Sequence, residues 1–367
     1  MRICYVVLSP TFGMQQYTAD LANQLCGAFH EDLRRGWPVT VITNRRVPRD
    51  RYAPRAKVEP VVDITGTGLQ KTNVNVRGFN AVYRAIRETQ PDVVHFTGPH
   101  VWNPALLFRL KQAKIKTVHT IHDLDPHSGT GYGKLLYVWN NSILRTANHI
   151  LVHGQVYRDR LLKKGLPAQQ VSYAPLLHLF LSYEREVALR QSPPAVRTEP
   201  FALFFARIEA YKGVDTLLDA MRQLESTGLR AVIAGKGEID GDVPRNVEIR
   251  NQWMGDADAI DLFARCSVVV LPYRDATQSA LIAAAYFFRK PVIVTRSGAL
   301  PEYVAAGVTG WIIEPGNSQA LAECLRCVLQ DREQARQMGE AGRAWYDSQY
   351  HSEQATLQQI YEYAARV

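Results

Sequence analysis

Cysteine is scarce in this 367-residue chain, which holds only Cys4, Cys26, Cys266, Cys324 and Cys327. So low and odd a number excludes a disulfide framework and fits a reducing compartment. Cys324-x-x-Cys327 has no second ligand pair nearby and lies within the helical pattern LAECLRCVLQ, so it reads as two half-buried helix positions. Long apolar runs are also missing; nothing approaches the ~20 residues that span a bilayer. Met1 to Thr11 holds one Arg and a short apolar stretch without a small-residue cleavage site, which reads as a first strand and not as a secretion signal. The 24 Gly and 19 Pro are near average and nothing repeats, which excludes fibrous and low-complexity classes. Two nucleotide-binding signatures are absent too. SPTFGMQQYTADL offers only Gly13 in place of a GxGxxG, PVTVITNRR ends without the acidic residue a dinucleotide ribose needs, and no Walker A sequence occurs. These absences count against a dinucleotide oxidoreductase and a P-loop enzyme.

What is present is a rhythm. Short apolar runs at 3–8, 38–43, 92–96, 116–121 and 149–153 alternate with helical patterns at 14–29, 80–88, 105–112 and 134–146. Residues 181–200 (LSYEREVALRQSPPAVRTEP) break the pattern with Pro193-Pro194 and mixed charge, and read as an interdomain linker. The rhythm restarts with strands expected at 201–206, 230–235, 246–250, 267–272 and 291–295. Helices are expected near 213–226, 257–265, 280–288, 317–330 and 332–346, with a helical tail from Ser352 to Ala365. Near-continuous apolar strands separated by helices indicate parallel sheets covered on both faces, so the fold class is α/β, with two doubly wound domains in tandem. Such sheets bind ligands at the carboxyl ends of their strands, and two of them facing each other predict a cleft.

Charge is distributed unevenly. Residues 1–180 hold 23 Lys+Arg against 11 Asp+Glu, and the remainder holds 20 against 24, for a net +8. The first half therefore suits an anionic partner. The stretches ALLFRLKQAKIK (105–116) and YRDRLLKKGL (157–166) are either solvated helix faces or sites of peripheral attachment to an anionic leaflet. Nucleic acid is a poor fit, because no binding module or aromatic stacking platform is visible.

The loops carry the chemistry. FFARIEAYKG puts Arg207 just past a strand and Lys212 at the start of the next helix; they are either two cations suited to a pyrophosphate or an ordinary surface Arg and first-turn Lys. After the strand ending at 272 comes Thr277-Gln278-Ser279 before a helix rich in small residues; this is either a phosphate cradle or an ordinary N-cap. Glu302 in SGALPEYV either accepts hydrogen bonds from a ribose diol or caps its own helix. His122-Asp123, after KTVHTI, places an imidazole at a strand end, with Asp125 and His127 close behind, whereas His119 inside the strand reads as core. His95 and His100 flank the loop HFTGPHVWNP and are candidates for an acceptor side. Asp123-x-Asp125, Asp240-x-Asp242 and Asp256-x-Asp258 all match a metal-binding DxD, so the pattern discriminates nothing.

The runs ARIEAYKG, AVIAGKGE, PYRDATQSALIAAAYFFRKPVIVTRSGALPE and GVTGWIIEPGN resemble the retaining GT-B glycosyltransferases of the large sucrose-synthase/mannosyltransferase-like family, glycosyl transferases group 1. The first half is collinear through the Gly13 loop, DVVHFTGPH and HTIHDLDPHSG. The resemblance implies an acceptor-side Rossmann-like domain at 1–180, a linker at 181–200, a nucleotide-sugar-binding Rossmann-like domain at 201–350, and a helix at 351–367 that crosses back. It implies Arg207 and Lys212 on the donor diphosphate, Glu302 on the ribose, His122 near the transferred sugar and the Gly13 loop on the donor. Many members carry Glu-x7-Glu before the strand matching PVIVT; here those positions are Ala276 and Ala284, as in a TQS-loop subgroup in which Thr277, Gln278 and Ser279 sit on the phosphates. The expected activity is metal-independent transfer of a hexose, with retention, from a UDP-sugar such as UDP-glucose. The acceptor would be a saccharide or a lipid-linked sugar, in bacterial polysaccharide synthesis. The donor is a substrate and no cofactor is expected; the place is cytoplasmic, or peripheral on the inner face of the membrane. The alternative is a nucleotide-sugar-binding 2-epimerase or a non-catalytic partner subunit, motivated by the two alanines.

Overall fold

The computed structural model describes residues 1–29, 36–66, 75–125, 133–192, 199 and 201–367; His127 lies outside them. Strands β1 (Ile3–Val7), β2 (Val39–Asn44), β3 (Lys57–Val62), β4 (Val93–Phe96), β5 (Lys116–Thr120), β6 (His149–Val152) and β7 (Val171–Tyr173) form a parallel sheet in the order β3-β2-β1-β4-β5-β6-β7. Strands β8 (Phe201–Phe205), β9 (Arg230–Ala234), β10 (Val247–Arg250), β11 (Val268–Leu271), β12 (Val292–Thr295) and β13 (Gly310–Ile313) form a second, in the order β10-β9-β8-β11-β12-β13. Around the first run helices α1 (Phe12–Leu25), α2 (Val76–Glu88), α3 (Asn103–Gln112), α4 (Gly133–Thr146) and α5 (Gln155–Lys163). Then follow α6 (Tyr183–Gln191), α7 (Val214–Arg222), α8 (Asp256–Arg265), α9 (Leu281–Phe287), α10 (Ser318–Gln330) and α11 (Arg332–Arg366). The α/β reading holds, and the two sheets account for the apolar runs, since central parallel strands are buried on both faces. β3, β7 and β13, which the apolar rhythm did not mark, are all edge strands. β3 carries Lys57, Glu59 and Pro60, residues tolerated where only one side is hydrogen-bonded.

Two expectations need correction. The final two helices are one helix of 35 residues. Its first half lies on the second sheet's layer, where an added Cβ at Gly339 would stand 2.0 Å from the Arg289 carbonyl oxygen. Its second half reaches the first sheet: the Tyr361 hydroxyl is 2.9 Å from that of Tyr5 and 2.7 Å from His95 Nδ1, and Glu353 accepts a hydrogen bond from Gln24 at 2.5 Å. The 181–200 segment is not irregular throughout, because α6 occupies Tyr183–Gln191. This helix is held by a buried ion pair, Glu186–Arg190 at 2.5 Å, with Arg190 also bonded to the Tyr346 hydroxyl at 2.9 Å. A charged pair on the inward face leaves no apolar stripe to read.

Among the described residues seven histidines (His95, His100, His119, His122, His149, His153 and His178) are buried. Desolvation lowers the pKa of each, to about 4 for His100, His149 and His178 and about 3 for His119. Burial pushes Asp20 and Glu353 the other way, up to about 7, and raises Glu186 as well. Between pH ~4 and ~6.5 the unfolded chain binds more protons at the histidines, so stability falls as pH falls; at the three acids the folded chain binds more, which opposes this. Seven groups outweigh three. The urea midpoint is therefore expected to drop steadily from pH 7 to pH 4.5, and a flat or rising midpoint would contradict the neutral burial of these rings.

Candidate active site

The predicted site residues collect at the carboxyl ends of β1 and β5, on either side of β4 in one sheet, and of the adjacent strands β8, β11 and β12 in the other. Arg207 follows β8, is largely exposed and pairs with Glu209 at 2.6 Å. Lys212 ends a short 3-10 helix (Ala210–Lys212) and its Nζ lies 3.9 Å from the Tyr273 ring centre, a cation–π contact. The turn between them is fixed from below. Arg274 N donates to Tyr211 O at 2.7 Å, and Gly213 (φ +65°) lies so close that a Cβ would stand 2.0 Å from Pro272 O. The AGKGE loop closes in similarly: a Cβ on Gly235 or Gly237 would meet the carbonyl oxygen of Ala206 or Ile208 at 1.8 or 2.1 Å. Between this loop and α7 lies a cavity of about 680 Å³, lined in part by Ile208, Val214, Leu218, Glu238, Ile239 and Arg274. Its apolar floor and acidic and basic rim suit a heteroaromatic base. Glu238, Ile239 and Arg274 were not singled out by sequence, where the runs AVIAGKGE and PYRDATQS were the only signals.

On the facing sheet, His122 is held by its neighbours. Its Nε2 donates to the Thr97 carbonyl at 2.9 Å, which leaves Nδ1 as the acceptor. Tyr17 from α1 presents its ring edge-on to His122, His153 and His178 at 4.9–5.1 Å. Burial keeps the His122 imidazole neutral. Asn140 donates to the carbonyls of Asp123 and Leu124, at 3.0 and 3.1 Å, and so pins the loop. Asp125 is taken by Arg160, at 2.5 and 3.0 Å. Gly13 lies in the first turn of α1, with no atom of the described residues within 4 Å of an added Cβ. His95 belongs to the core, both ring nitrogens being bonded, to Tyr361 and Thr120; His100 is buried against Trp102, and neither lines the cleft.

The two edges touch. Thr277 Oγ1 donates to Asp123 Oδ1 at 2.7 Å. Ser279 Oγ accepts weakly from Leu281 N at 3.4 Å, and Gln278 Oε1 is buried without a hydrogen-bond partner among the described residues. Glu302 does not cap its own helix. Its carboxylate accepts from Gln155 N at 2.5 Å and Val156 N at 2.8 Å, the first turn of α5 in the opposite sheet's layer. Tyr303 beside it donates to His153 O at 2.6 Å. Asp256 bridges the other flank, pairing with Arg51 at 2.9 Å and accepting from Ser182 N at 2.7 Å.

Residues 12–176 match the family described as glycosyl transferase 4-like domain, and residues 187–345 match glycosyl transferases group 1. The chain belongs to the group 1 glycosyltransferases. It is 30% identical over 161 residues to an O-antigen chain mannosyltransferase C of Escherichia coli, an alignment spanning 41% of this chain and 42% of that one. It is 22% identical over 326 residues to the sulfoquinovosyl transferase SQD2 of Arabidopsis thaliana, spanning 83% and 62%. Its backbone superposes on HepE of Anabaena, solved in complex with UDP-glucose, with a TM-score of 0.70 at 18% identity over 100% of both chains. The fold is thus GT-B, two parallel α/β layers facing across a cleft.

In this group 1 chain the Lys212 turn rests on Gly213, which has both a left-handed backbone and no room for a methyl group. Gly213→Ala is expected to lower stability by about 2 kcal/mol or more, since strain of this kind alone costs ~1–3 kcal/mol. Gly241→Ala shares a positive φ but faces open space, and is expected to cost clearly less. Equal urea midpoints for the two variants would contradict the close packing on Pro272.

Proposed function

We propose that this chain is a retaining, metal-independent glycosyltransferase that moves a hexose from a UDP-sugar such as UDP-glucose to a saccharide or lipid-linked acceptor. The observation that carries the reading is the pair Arg207 and Lys212, on the turn whose Glu209 and Ala210 line the cavity under the AGKGE loop, with the Thr277–Asp123 bond joining that sheet's edge to the loop after His122. The base would occupy the cavity and the diphosphate would lie over the two cations, with the Thr277-Gln278-Ser279 loop on its oxygens. Each Glu302 oxygen has a second acceptor direction for a ribose diol besides its α5 bond. His122 Nδ1 would accept from a hydroxyl of the sugar. The Gly13 turn would let the donor approach α1 closely.

In the reaction, the bond from C1 of the sugar to the β-phosphate oxygen breaks and a bond to the acceptor oxygen forms on the same face. The acceptor's proton passes to a phosphate oxygen of the leaving UDP. Arg207 and Lys212 offset the charge that develops there, so the reading assigns no step to a metal. Closure of the cleft excludes water, the competing nucleophile. A role in bacterial polysaccharide synthesis, with peripheral contact between the basic first half and an anionic membrane, completes the proposal. Among the described residues no helix is long and apolar enough to cross a membrane.

Calorimetric titration with UDP, GDP and ADP, with and without Mg²⁺, tests the donor site. UDP binding independent of Mg²⁺ and lost in Lys212→Ala is expected; failure of all three to bind overturns the reading. Arg207→Ala should lower kcat by about 10²-fold, the scale of a lost charge-stabilising donor. Incubation with donor alone addresses the second reading, which rests on Ala276 and Ala284 where many relatives have Glu: epimerisation without acceptor would favour it.

A further inference from the structure

The second sheet has another cationic hollow at its opposite end, beneath the amino ends of β11 and β12. A cavity of about 200 Å³ is lined there by Arg289, Lys290, Val328, Arg332, Arg336 and Glu340, among others. Gly339 sets this up. With no side chain, it lets α11 lie against the Arg289 carbonyl, and Arg332 and Arg336, seven and three residues earlier on the same face, come over the Arg289–Lys290 turn. Two of the four cations are matched: Arg289 by Glu340 at 3.1 Å and Arg336 by Glu333 at 2.7 Å. The other two are not. Arg332 has no ion pair among the described residues, and Lys290 is only 2% exposed with no hydrogen-bond partner for its Nζ. The buried Cys266 nearby gives no counter-charge, because burial pushes its thiol up to about 12. A buried amine without a partner is costly, and burial accordingly lowers the Lys290 pKa.

We propose that this cavity binds a small phosphate-bearing anion, held by Lys290 as a point charge and by the guanidinium fork of Arg332, with Arg336, whose Nε and Nη2 donate to Glu333, adding its Nη1. Two unmatched cations suit a phosphate dianion, and Arg with Lys is the donor set that phosphate oxygens take up best. Either inorganic phosphate or a phosphate monoester supplies this chemistry. The site is independent of the donor reading, since it lies at the far end of the strands whose carboxyl ends carry the Thr277 loop and the Glu302 turn.

The test is calorimetric titration of the full chain with inorganic phosphate and with glycerol 3-phosphate, against sodium chloride at matched ionic strength. Phosphate binding is expected to persist in Arg207→Ala, and to weaken at least tenfold in both Lys290→Met and the double variant Arg332→Gln/Arg336→Gln. The double variant alters exposed side chains, so it is informative even if Lys290→Met does not fold. Tighter binding of glycerol 3-phosphate than of phosphate identifies the monoester as the ligand class, and the reverse order identifies the inorganic ion. The proposal fails if phosphate does not bind, if chloride gives the same heat, if the double variant binds as the parent does, or if binding is lost in Arg207→Ala.

Discussion

The first two N–H groups of α5 lack the partner that a side-chain cap would give them, because the N-cap residue is Gly154. Glu302 supplies that partner from the opposite sheet's layer, and the arrangement of the cleft follows from this one contact. A carboxylate on a helix N-terminus is favoured by both hydrogen bonding and the helix dipole. It also requires the turn carrying it to come very close. A Cβ on Gly154 would stand 2.5 Å from that of Ala299, and one on Gly298 would strike the Ala276 carbonyl at 1.9 Å. With the Ala299–Tyr303 turn so seated, the neighbouring Thr277 loop is in reach of Asp123, and the two strand-end rims meet.

Between those rims, charge is partitioned. Arg207 and Lys212 stand on the side of the second sheet, solvated or over an aromatic face. His122 on the other side is walled in by Tyr17 and by His153, and desolvation keeps it neutral. The same burial that costs acid stability thus leaves the His122 ring uncharged. On the proposed reading, an anionic group entering the cleft would be drawn to the Arg207 side, and hydroxyl groups would find an uncharged acceptor opposite. The basic excess of residues 1–180 does not enter this balance; it lies instead on helices such as α2 and α3, where Arg84 and Arg109 face solvent or stack on Tyr83.

How much of this was legible follows from what each residue does. Central strands were visible because both faces are buried, as in VVVL of β11; β3 was not, since its free edge admits Lys57, Glu59 and Pro60. Arg207 and Lys212 could be placed because strand ends and helix starts are local signals. Glu302 could be singled out as a capping or ribose residue, but not its partner: Gln155 is 147 positions away, and no local pattern encodes that approach. Asp256 was hidden in a DxD-like run for the same reason, its partner Arg51 lying in the other half of the chain. Histidines taken one at a time gave no hint that three of them pack around a single tyrosine.

The last helix shows why the hardest element to read can be the one that joins the rest. An ordinary surface helix shows one apolar stripe, but α11 needs two, because it buries Ala335, Met338 and Tyr346 against one layer and Leu357, Ile360 and Tyr361 against another. Where the stripes hand over, the segment WYDSQYHS looks like a break, although the backbone continues without one. Thirty-five residues in one helix form a stiff rod of ~50 Å. Along it lie the Arg332–Arg336 hollow, the α9 layer that follows the Thr277 loop, and the Tyr5–His95 floor of the first sheet. A rod that must satisfy three separate packing surfaces at once limits how the two sheets can be set, and so shares with Glu302 the work of holding the cleft in register.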